Sequence, residues 1–307
     1  MPHIIASQDF TSYDTKTIRN LLGLNPRVRT VFTKDGTEVE TDIIGSRILR
    51  VIISKELHPI SELRGKHFLG AFFEIQQCHY KVWKSEIHHN DPSLSNFMYR
   101  KEGKKGEVII GVLNDWDLAI DMQSNPQHHG LERTGTVPYM ALDLLVNRQG
   151  QIQHLYRHDH EATIWIATWV FLCYANGKYV GNLSNPQLAH WQTGSYQDCA
   201  NLKSGFLTNH LLTAKPQEEW EEEWDIISEL LADLNVRLAN RNQALTRQRS
   251  RKGSAKLVGG PMIVEADDPD NVLRQQWAII EGVAAENPEL VYVLRYKPDF
   301  EVEGTSV

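Results

Sequence analysis

The pattern of apolar residues predicts helices in four stretches of the chain. The first stretch covers residues 65–83 and places five large apolar side chains on one face, namely Phe68, Phe72, Ile75, Tyr80 and Trp83. Residues 163–174 are almost continuously apolar and exceed the usual strand length, so they predict a central buried helix in which Trp165 and Trp169 belong to the core. Helices are also predicted over residues 226–238, behind an acidic run, and over residues 271–285.

Shorter apolar and β-branched runs predict strands. Three such runs lie at residues 28–32, 46–54 and 290–294. A short helix capped by Asp14 precedes the first of them. Residues 97–99 and 108–113 flank a turn rich in glycine and lysine, which predicts a hairpin. The whole pattern therefore predicts an α+β fold that is mainly α.

The composition is typical of a globular protein and narrows the range of partners. The 307 residues have room for one large domain or two small ones. The chain carries 32 Lys and Arg against 39 Asp and Glu, a net charge of -7, so we expect no nucleic-acid partner. Three cysteines are too few for a disulfide framework. No apolar run reaches the roughly 18 residues that span a bilayer. We expect a cytoplasmic or nuclear protein with no signal peptide and no membrane partner.

The candidate chemistry lies between residues 87 and 119. Asp91 is a loop carboxylate that can accept a hydroxyl proton, and the amide oxygen of Asn96 can bind a hard cation. Asp115 follows an apolar strand and can bind the same cation. Hard oxygen ligands beside a general base are typical of Mg²⁺-assisted phosphoryl transfer. No metal site is expected at the nearby histidines, where His89 is interpreted as locking the backbone and His88 as solvated. His154, His158 and His160 resemble the spacing of a zinc site only superficially.

Four motifs in this order resemble those of the fungal-type protein kinase family, within the protein-kinase-like superfamily. His89-x-Asp91-x4-Asn96 resembles the catalytic loop, and Asp115-Trp116-Asp117-x-Ala119 resembles the metal motif. Residues 133–143 (RTGTVPYMALD) resemble the end of the activation segment. His158-Asp159-x-Glu161 resembles the start of the family's tryptophan-rich helix. Each motif alone is weak, but four in the right order, with an apolar strand and an apolar helix where the family has them, are specific. The resemblance covers about residues 45–240.

The resemblance implies ATP and Mg²⁺ as cofactors and a role for each motif residue. Asp91 is expected to be the catalytic base, with Asn96 beside it in the catalytic loop. Asn96 and Asp115 are expected to hold Mg²⁺. The residues expected to be structural are His89, Asp143 and Asp159. The hinge beside the adenine ring is expected to include Ser54, Glu56 and His58.

The chain departs from the family pattern at several positions. Asn90 replaces the arginine that normally precedes the catalytic aspartate, Ser93 replaces a lysine, and Asp117 replaces a glycine. No glycine-rich phosphate loop is found, and neither Lys16 nor Lys34 lies on a convincing strand. The expected fold is therefore a protein-kinase-like C-terminal lobe with a truncated or missing small lobe.

These expectations divide the chain into three parts. Residues 1–53 are expected to be a remnant of the small lobe, residues 54–245 the large lobe, and residues 246–307 a basic linker with a C-terminal extension. The face that a full small lobe covers is expected to be exposed, and a partner or the missing segment is expected to cover it.

Three functions are compatible with the sequence. The first is a serine/threonine protein kinase, whose protein substrate the sequence does not identify. The second is a pseudokinase or fragment that acts as a binding module, favoured by Asn90 and by the short N-terminal part. The third is a small-molecule kinase resembling aminoglycoside or choline phosphotransferases. Asp117 favours this third function, whereas the activation-segment-like residues 135–143 oppose it.

Overall fold

The computed structural model describes residues 1–23, 28–32, 38–42, 48–104, 106–123, 134–147, 153–182, 185–252 and 268–300. The chain divides into two compact units, of which the first is Pro2–Glu56 and the second begins at Leu57. The described residues are mainly helical with short strands, so the prediction of a mainly helical α+β fold is confirmed. Lys34 and Arg133 lie outside the described residues.

The described residues of the N-terminal unit form two antiparallel strand pairs and one short helix. The pairs are β1 (Ile4–Asp14) with β4 (Ile48–Ser54), and β2 (Val28–Phe32) with β3 (Glu38–Asp42). Helix α1 (Thr15–Leu21) begins after Asp14, whose carboxylate accepts a hydrogen bond from the Thr17 amide and so caps the helix. The capped helix and the strand at 28–32 are confirmed, and the strand predicted at 46–54 is confirmed over Ile48–Ser54, its described part. The sequence does not predict β1 or β3.

The main unit opens on a three-stranded antiparallel sheet. Its strands are β5 (His58–Pro59), β7 (Phe97–Glu102) and β8 (Val108–Leu113), with β7 in the middle. Two smaller pairs follow, β6 (Ile87–His88) with β9 (Ile120–Asp121) and β10 (Tyr174–Ala175) with β11 (Lys178–Tyr179). The predicted hairpin is confirmed as β7 and β8.

Gly111 allows β8 to lie directly on helix α2 (Gly65–Lys84). A Cβ at this position would lie 2.1 Å from the carbonyl oxygen of Ala71, far closer than non-bonded atoms approach. The Gly111 amide also donates a hydrogen bond of 2.7 Å to the carboxylate of Glu74. The one glycine in this apolar strand is therefore required by the contact between the strand and the helix.

The substitution Gly111→Ala is expected to lower the free energy of unfolding by about 3 kcal/mol, because the added methyl group forces two backbones apart. The matched control is Gly282→Ala, where nothing lies within 4 Å of an added Cβ. Helix propensity predicts a gain of about 0.8 kcal/mol for the control. Urea unfolding followed by circular dichroism measures both variants. Unchanged stability in Gly111→Ala would show that β8 can move away from the helix.

Helix α4 (Tyr156–Cys173) is the centre of the main unit, and all of its side chains are buried. The Trp165 ring meets Trp191 edge-on with centroids 5.3 Å apart, and the Trp169 ring lies 6.0 Å from the same residue. The predicted central helix with tryptophans in the core is confirmed. No helix in the described part of the chain, α4 included, combines the length and apolarity needed to cross a membrane.

Four further helices surround α4: α3 (Leu142–Val146), α5 (Tyr196–Gly205), α6 (Glu221–Lys252) and α7 (Pro269–Glu286). The helices predicted over residues 226–238 and 271–285 correspond to α6 and α7. Helix α6 starts earlier than its apolar pattern, within the acidic run, because carboxylates in the first turn interact favourably with the helix dipole.

The segment after residue 268 packs on the core of the main unit. Trp277 of α7 lies 5.1 Å from Phe73 of α2 between ring centroids. The predicted strand at 290–294 is wrong, because residues Pro288–Tyr296 form a 3₁₀ helix. Its buried residues, Leu290 and Val293, are three apart, which is the spacing that a 3₁₀ helix places on one face.

Candidate active site

The predicted catalytic residues lie on the loop between β6 and β7, and His89 holds this loop in place. The His89 ring is fully buried, and its Nε2 donates to the carbonyl of Asn114 at 2.9 Å. Its Nδ1 accepts the amide hydrogen of Asp91 at 3.3 Å. These two contacts require the neutral ring with the proton on Nε2. Burial lowers the pKa of His89, which agrees with that state.

The Asp91 carboxylate is held through one of its two oxygens. Its Oδ1 accepts hydrogen bonds from the Thr136 amide at 2.7 Å and from the Thr136 hydroxyl at 2.9 Å. No described residue donates to Oδ2. Burial raises the pKa of Asp91, and the two hydrogen bonds from Thr136 offset part of that effect. The arrangement fixes the side chain and leaves one oxygen available to accept a proton.

The Asn96 side chain makes a hydrogen bond to the backbone of the same loop. Its Nδ2 donates to the carbonyl of Asp91 at 2.9 Å, so the amide hydrogens point into the loop. Its Oδ1 accepts only a long hydrogen bond of 3.4 Å, from Ser95, among the described contacts. The amide oxygen is thus the atom of Asn96 that could bind a cation.

Asp115 is brought to the loop by the residue before it. The backbone of Asn114 donates to the Asn96 carbonyl at 2.9 Å and accepts the hydrogen bond from His89. Asp115 itself has φ 56°, in the left-handed region, and its side chain is exposed at the end of β8. A non-glycine residue in this region is uncommon and is often functional. The hydrogen bonds therefore bring Asp91, Asn96 and Asp115 to one end of the β7–β8 hairpin.

The donor set fits Mg²⁺, since this ion binds one or two protein oxygens and takes its remaining ligands from water and phosphate. Asp115 offers a carboxylate and Asn96 an amide oxygen. The described residues contain no group of three or more His, Cys, Asp and Glu side chains placed to hold a metal ion.

Asp159 lies beneath the catalytic loop and is almost completely buried. Its Oδ2 accepts hydrogen bonds from the Asn90 amide at 3.1 Å and from His79 Nε2 at 2.9 Å. Its Oδ1 accepts one from His154 Nε2 at 2.5 Å. Burial acts to raise the pKa of Asp159, but the two histidines outweigh it and lower the pKa well below its usual range. An ionised carboxylate thus joins the loop to α2 and α4.

Asn90 links the catalytic loop to the metal-motif segment, although it replaces an arginine of the family pattern. Its φ is 65°, and its Nδ2 donates to the carbonyls of His88 and Leu118 at 3.3 Å each. Its Oδ1 is buried and has no hydrogen-bond partner among the described residues. The Asn90 side chain therefore has a structural role at this position, but it lacks the positive charge of the arginine that it replaces.

Asp143 forms an ion-pair cluster at the start of α3. Its Oδ2 lies 3.2 Å from Arg157 Nη2, 2.5 Å from Arg241 Nη1 and 3.6 Å from His158 Nε2. Burial acts to raise the pKa of Asp143, but His158 and the two guanidinium groups outweigh it and lower the pKa. Arg241 lies on α6, so this cluster joins the last residue of the predicted activation segment to the helical core.

The predicted hinge residues fall on both sides of the division between the units. Ser54 and Glu56 are exposed in the last residues of the N-terminal unit, where the Ser54 hydroxyl donates to the Lys55 carbonyl. His58 belongs to the main unit, where it pairs with Tyr99 of β7 and its ring lies 5.1 Å from the tyrosine ring. Among the three, His58 is therefore tied to the strand that follows the catalytic loop.

Several partners in this site are missed by sequence reasoning. Thr136 binds Asp91 from 45 residues away, and His79 binds Asp159 from 80 residues away. No local pattern connects residues at such separations. The only available signal is a polar residue within an otherwise apolar helix face, as at His79, because a buried polar group requires a partner.

The comparisons with known proteins agree with the motifs. Residues 6–171 match the family model described as fungal protein kinase. The match begins within β1, well before the motifs quoted above, and ends inside α4. It therefore includes Asp91, Asn96, Asp115, Asp143 and Asp159. A comparison with curated proteins gave no match.

Proposed function

This chain belongs to the fungal protein kinase family, and we propose that it transfers the γ-phosphoryl group of ATP to a serine or threonine hydroxyl of a protein, with Mg²⁺ as cofactor. The observation that carries the proposal is the state of Asp91. Its carboxylate is fixed by Thr136 through Oδ1, while no described residue donates to Oδ2. A positioned carboxylate with one available oxygen is what a general base requires.

In this proposal the acceptor hydroxyl donates a hydrogen bond to Asp91 Oδ2. This contact orients the hydroxyl oxygen toward the γ-phosphorus. Asp91 accepts the hydroxyl proton as the bond from the hydroxyl oxygen to the γ-phosphorus forms and the bond from the γ-phosphorus to the bridging oxygen breaks, with ADP as the leaving group. Thr136 prevents the carboxylate from rotating during this step. Positioning of this kind supplies much of the catalysis in phosphoryl transfer, because the protein takes little part in the covalent chemistry.

Asn96 and Asp115 are proposed to hold Mg²⁺ through Oδ1 and the carboxylate. When bound, Mg²⁺ neutralises the charge that develops on the phosphate oxygens. The protein contributes two oxygen ligands fixed to one loop by the backbone of Asn114. Ser54, Glu56 and His58 are proposed as the hinge residues beside the adenine ring.

A second candidate is a kinase that acts on small hydroxylated molecules. The observation that favours it is Asp117, an exposed carboxylate two residues after Asp115 and in place of the family glycine. Incubation with radiolabelled ATP and either a peptide library or a panel of aminoglycosides and choline separates the two candidates. Label on peptides alone supports the protein kinase, and label on small molecules alone supports the second candidate.

The first test is nucleotide binding by thermal shift. ATP and Mg²⁺ together are expected to raise the melting temperature, because a ligand present at 100 times its dissociation constant stabilises the native state by about 2.7 kcal/mol. ATP alone is expected to give a much smaller rise. The substitution Asp115→Asn is expected to remove the Mg²⁺-dependent part, whereas Asp225→Asn, at an exposed position on α6, is expected to retain it. No shift at millimolar ATP would favour a binding module over a kinase.

A further inference from the structure

One lysine of the main unit is completely buried. Lys203 on α5 has no exposed surface, and its Nζ donates a hydrogen bond of 2.8 Å to the carbonyl of Met140. The ammonium group lies 4.5 Å from the centre of the Trp165 ring and 5.7 Å from that of Trp191. Burial lowers the pKa of Lys203 to about 8. A lysine is almost never buried without a specific partner, and here the partner is a backbone carbonyl.

A buried carboxylate contacts the same short segment at a neighbouring residue. Glu161 on α4 accepts hydrogen bonds through Oε1 from the Leu142 amide at 2.8 Å and from Trp165 Nε1 at 3.0 Å. Glu161 and Lys203 are close enough for each charge to act on the other. Residues 140–142 are thus held at both ends, because the Glu161 carboxylate binds the Leu142 amide and the Lys203 ammonium group binds the Met140 carbonyl.

Helix α5 makes a second contact with this segment one turn earlier. Cys199 precedes Lys203 by four residues and so lies on the same face of the helix. Its Sγ lies 3.6 Å from the carbonyl of Val137. Two donors on one helix face therefore meet two carbonyls of the segment, which fixes its position along α5.

The other end of this segment is the residue that binds the candidate base. The carbonyl of Thr136 accepts hydrogen bonds from the amides of Tyr139 at 2.9 Å and Met140 at 3.1 Å. This turn connects the peptide held by Lys203 to the residue that binds Asp91 through two hydrogen bonds. A shift of Met140 would therefore move Thr136 and with it the Asp91 carboxylate.

We propose that Lys203 and Glu161 are positioning residues, which hold residues 136–142 in the one arrangement in which Thr136 orients Asp91. The kinetic part of this inference rests on the proposed function, whereas the structural part does not. Apolar side chains of similar volume would fill the same space without the cost of burying two charges. The charged pair is explained by the need to hold two polar backbone groups that would otherwise be buried without partners.

Hydrogen exchange tests the structural part without any assay of activity. In Lys203→Met, which keeps the length of the side chain and removes the donor, the amides of Thr136 and Leu142 are expected to exchange about tenfold faster or more. Amides in α7 are expected to keep their wild-type rates. The control is Lys178→Met, at an exposed lysine on β11, which is expected to change neither group.

Glu161 supplies a second pair of variants in case Lys203→Met does not fold. Glu161→Gln retains an amide oxygen that can accept the hydrogen bonds from Leu142 and Trp165, so protection of the Leu142 amide is expected to be close to that of the wild type. Glu161→Leu removes the acceptor and is expected to show faster exchange at Leu142. Wild-type protection in both Glu161→Leu and Lys203→Met, or a uniform increase in exchange that includes α7, would overturn the proposal.

Kinetics tests the link to Asp91. Lys203→Met and Glu161→Leu are expected to lower kcat about tenfold or more and to leave KM for ATP unchanged, because neither residue contacts the proposed nucleotide site. Glu161→Gln is expected to restore most of kcat. A wild-type protein without transferase activity would refute the proposed function, and the exchange rates would then decide the positioning role alone. An active enzyme with wild-type kcat in Glu161→Leu would overturn the link to Asp91.

Discussion

Replacement of Asp91 by Asn is expected to slow phosphoryl transfer by about 10²- to 10⁴-fold, the range that a positioned general base contributes. The substitution preserves the shape of the side chain, and its amide oxygen can still accept the hydrogen bonds that Thr136 makes to Oδ1. What is lost is the carboxylate oxygen that accepts the proton. The rate is measured with saturating ATP and Mg²⁺, and the thermal shift with both ligands is expected to be unchanged.

Two further measurements define the role of Asp91. The control Thr136→Val removes the hydroxyl donor and keeps the backbone amide, so we expect a smaller loss, about tenfold. Burial raises the pKa of Asp91, so the wild-type rate is expected to fall as the pH drops through this raised pKa, and this decline should be absent in Asp91→Asn. Wild-type turnover in Asp91→Asn would exclude Asp91 as the base.

The main helices are predictable from the sequence because each packs against one core. Helix α2 carries large apolar residues at helical spacing, and the structure buries these together with all of residues 68–73. Helix α4 is buried on every side and is apolar along most of its length. Strand β1 lacks such a signal, because nearly all of its side chains are exposed and no alternation of buried and exposed positions marks it. The strand predicted at 290–294 fails for a related reason, since a short apolar run fits several structures.

Some residues of the candidate site can likewise be identified from the sequence, and others cannot. Asp91, Asn96 and Asp115 are identifiable because the catalytic loop and the strand after it are close in sequence and carry recognisable spacing. The residues that orient them come from distant parts of the chain. Asp91 is bound by Thr136, Asp159 by His154, and the Met140 carbonyl by Lys203. The fold brings these residues together from separate parts of the chain. Such contacts depend on the packing of the whole unit, and no local sequence pattern predicts them.

Replacement of Asp159 by Leu is expected to lower the free energy of unfolding by about 3–5 kcal/mol, the cost of removing one partner from a buried charged cluster. The substitution leaves three donors without an acceptor: the Asn90 amide, His79 Nε2 and His154 Nε2. Each unpaired buried donor costs about 1–3 kcal/mol. Urea unfolding of wild type and variant at neutral pH measures the difference.

Asp159→Asn distinguishes the charge from the hydrogen bonds. Its single oxygen can accept from the residues that meet one side of the carboxylate, while its NH₂ group faces a donor on the other side, so the expected loss lies between zero and that of Asp159→Leu. Asp225→Asn, at an exposed position, is expected to change stability by less than about 0.5 kcal/mol. A loss in Asp159→Leu no larger than this would show that the cluster contributes no stability.

The pH dependence of stability gives an independent check of the same charge. The folded-state pKa of Asp159 is lowered well below its usual value, so the unfolded chain takes up this proton first as the pH falls. Its contribution is therefore complete above about pH 5, where the unfolded carboxyl is almost fully ionised, and is lost as the pH drops toward the folded-state pKa. Wild-type protein should lose stability below pH 4 more steeply than Asp159→Asn. Because Asp159 also accepts a hydrogen bond from the Asn90 amide, the same acid range is expected to release the catalytic loop from α4.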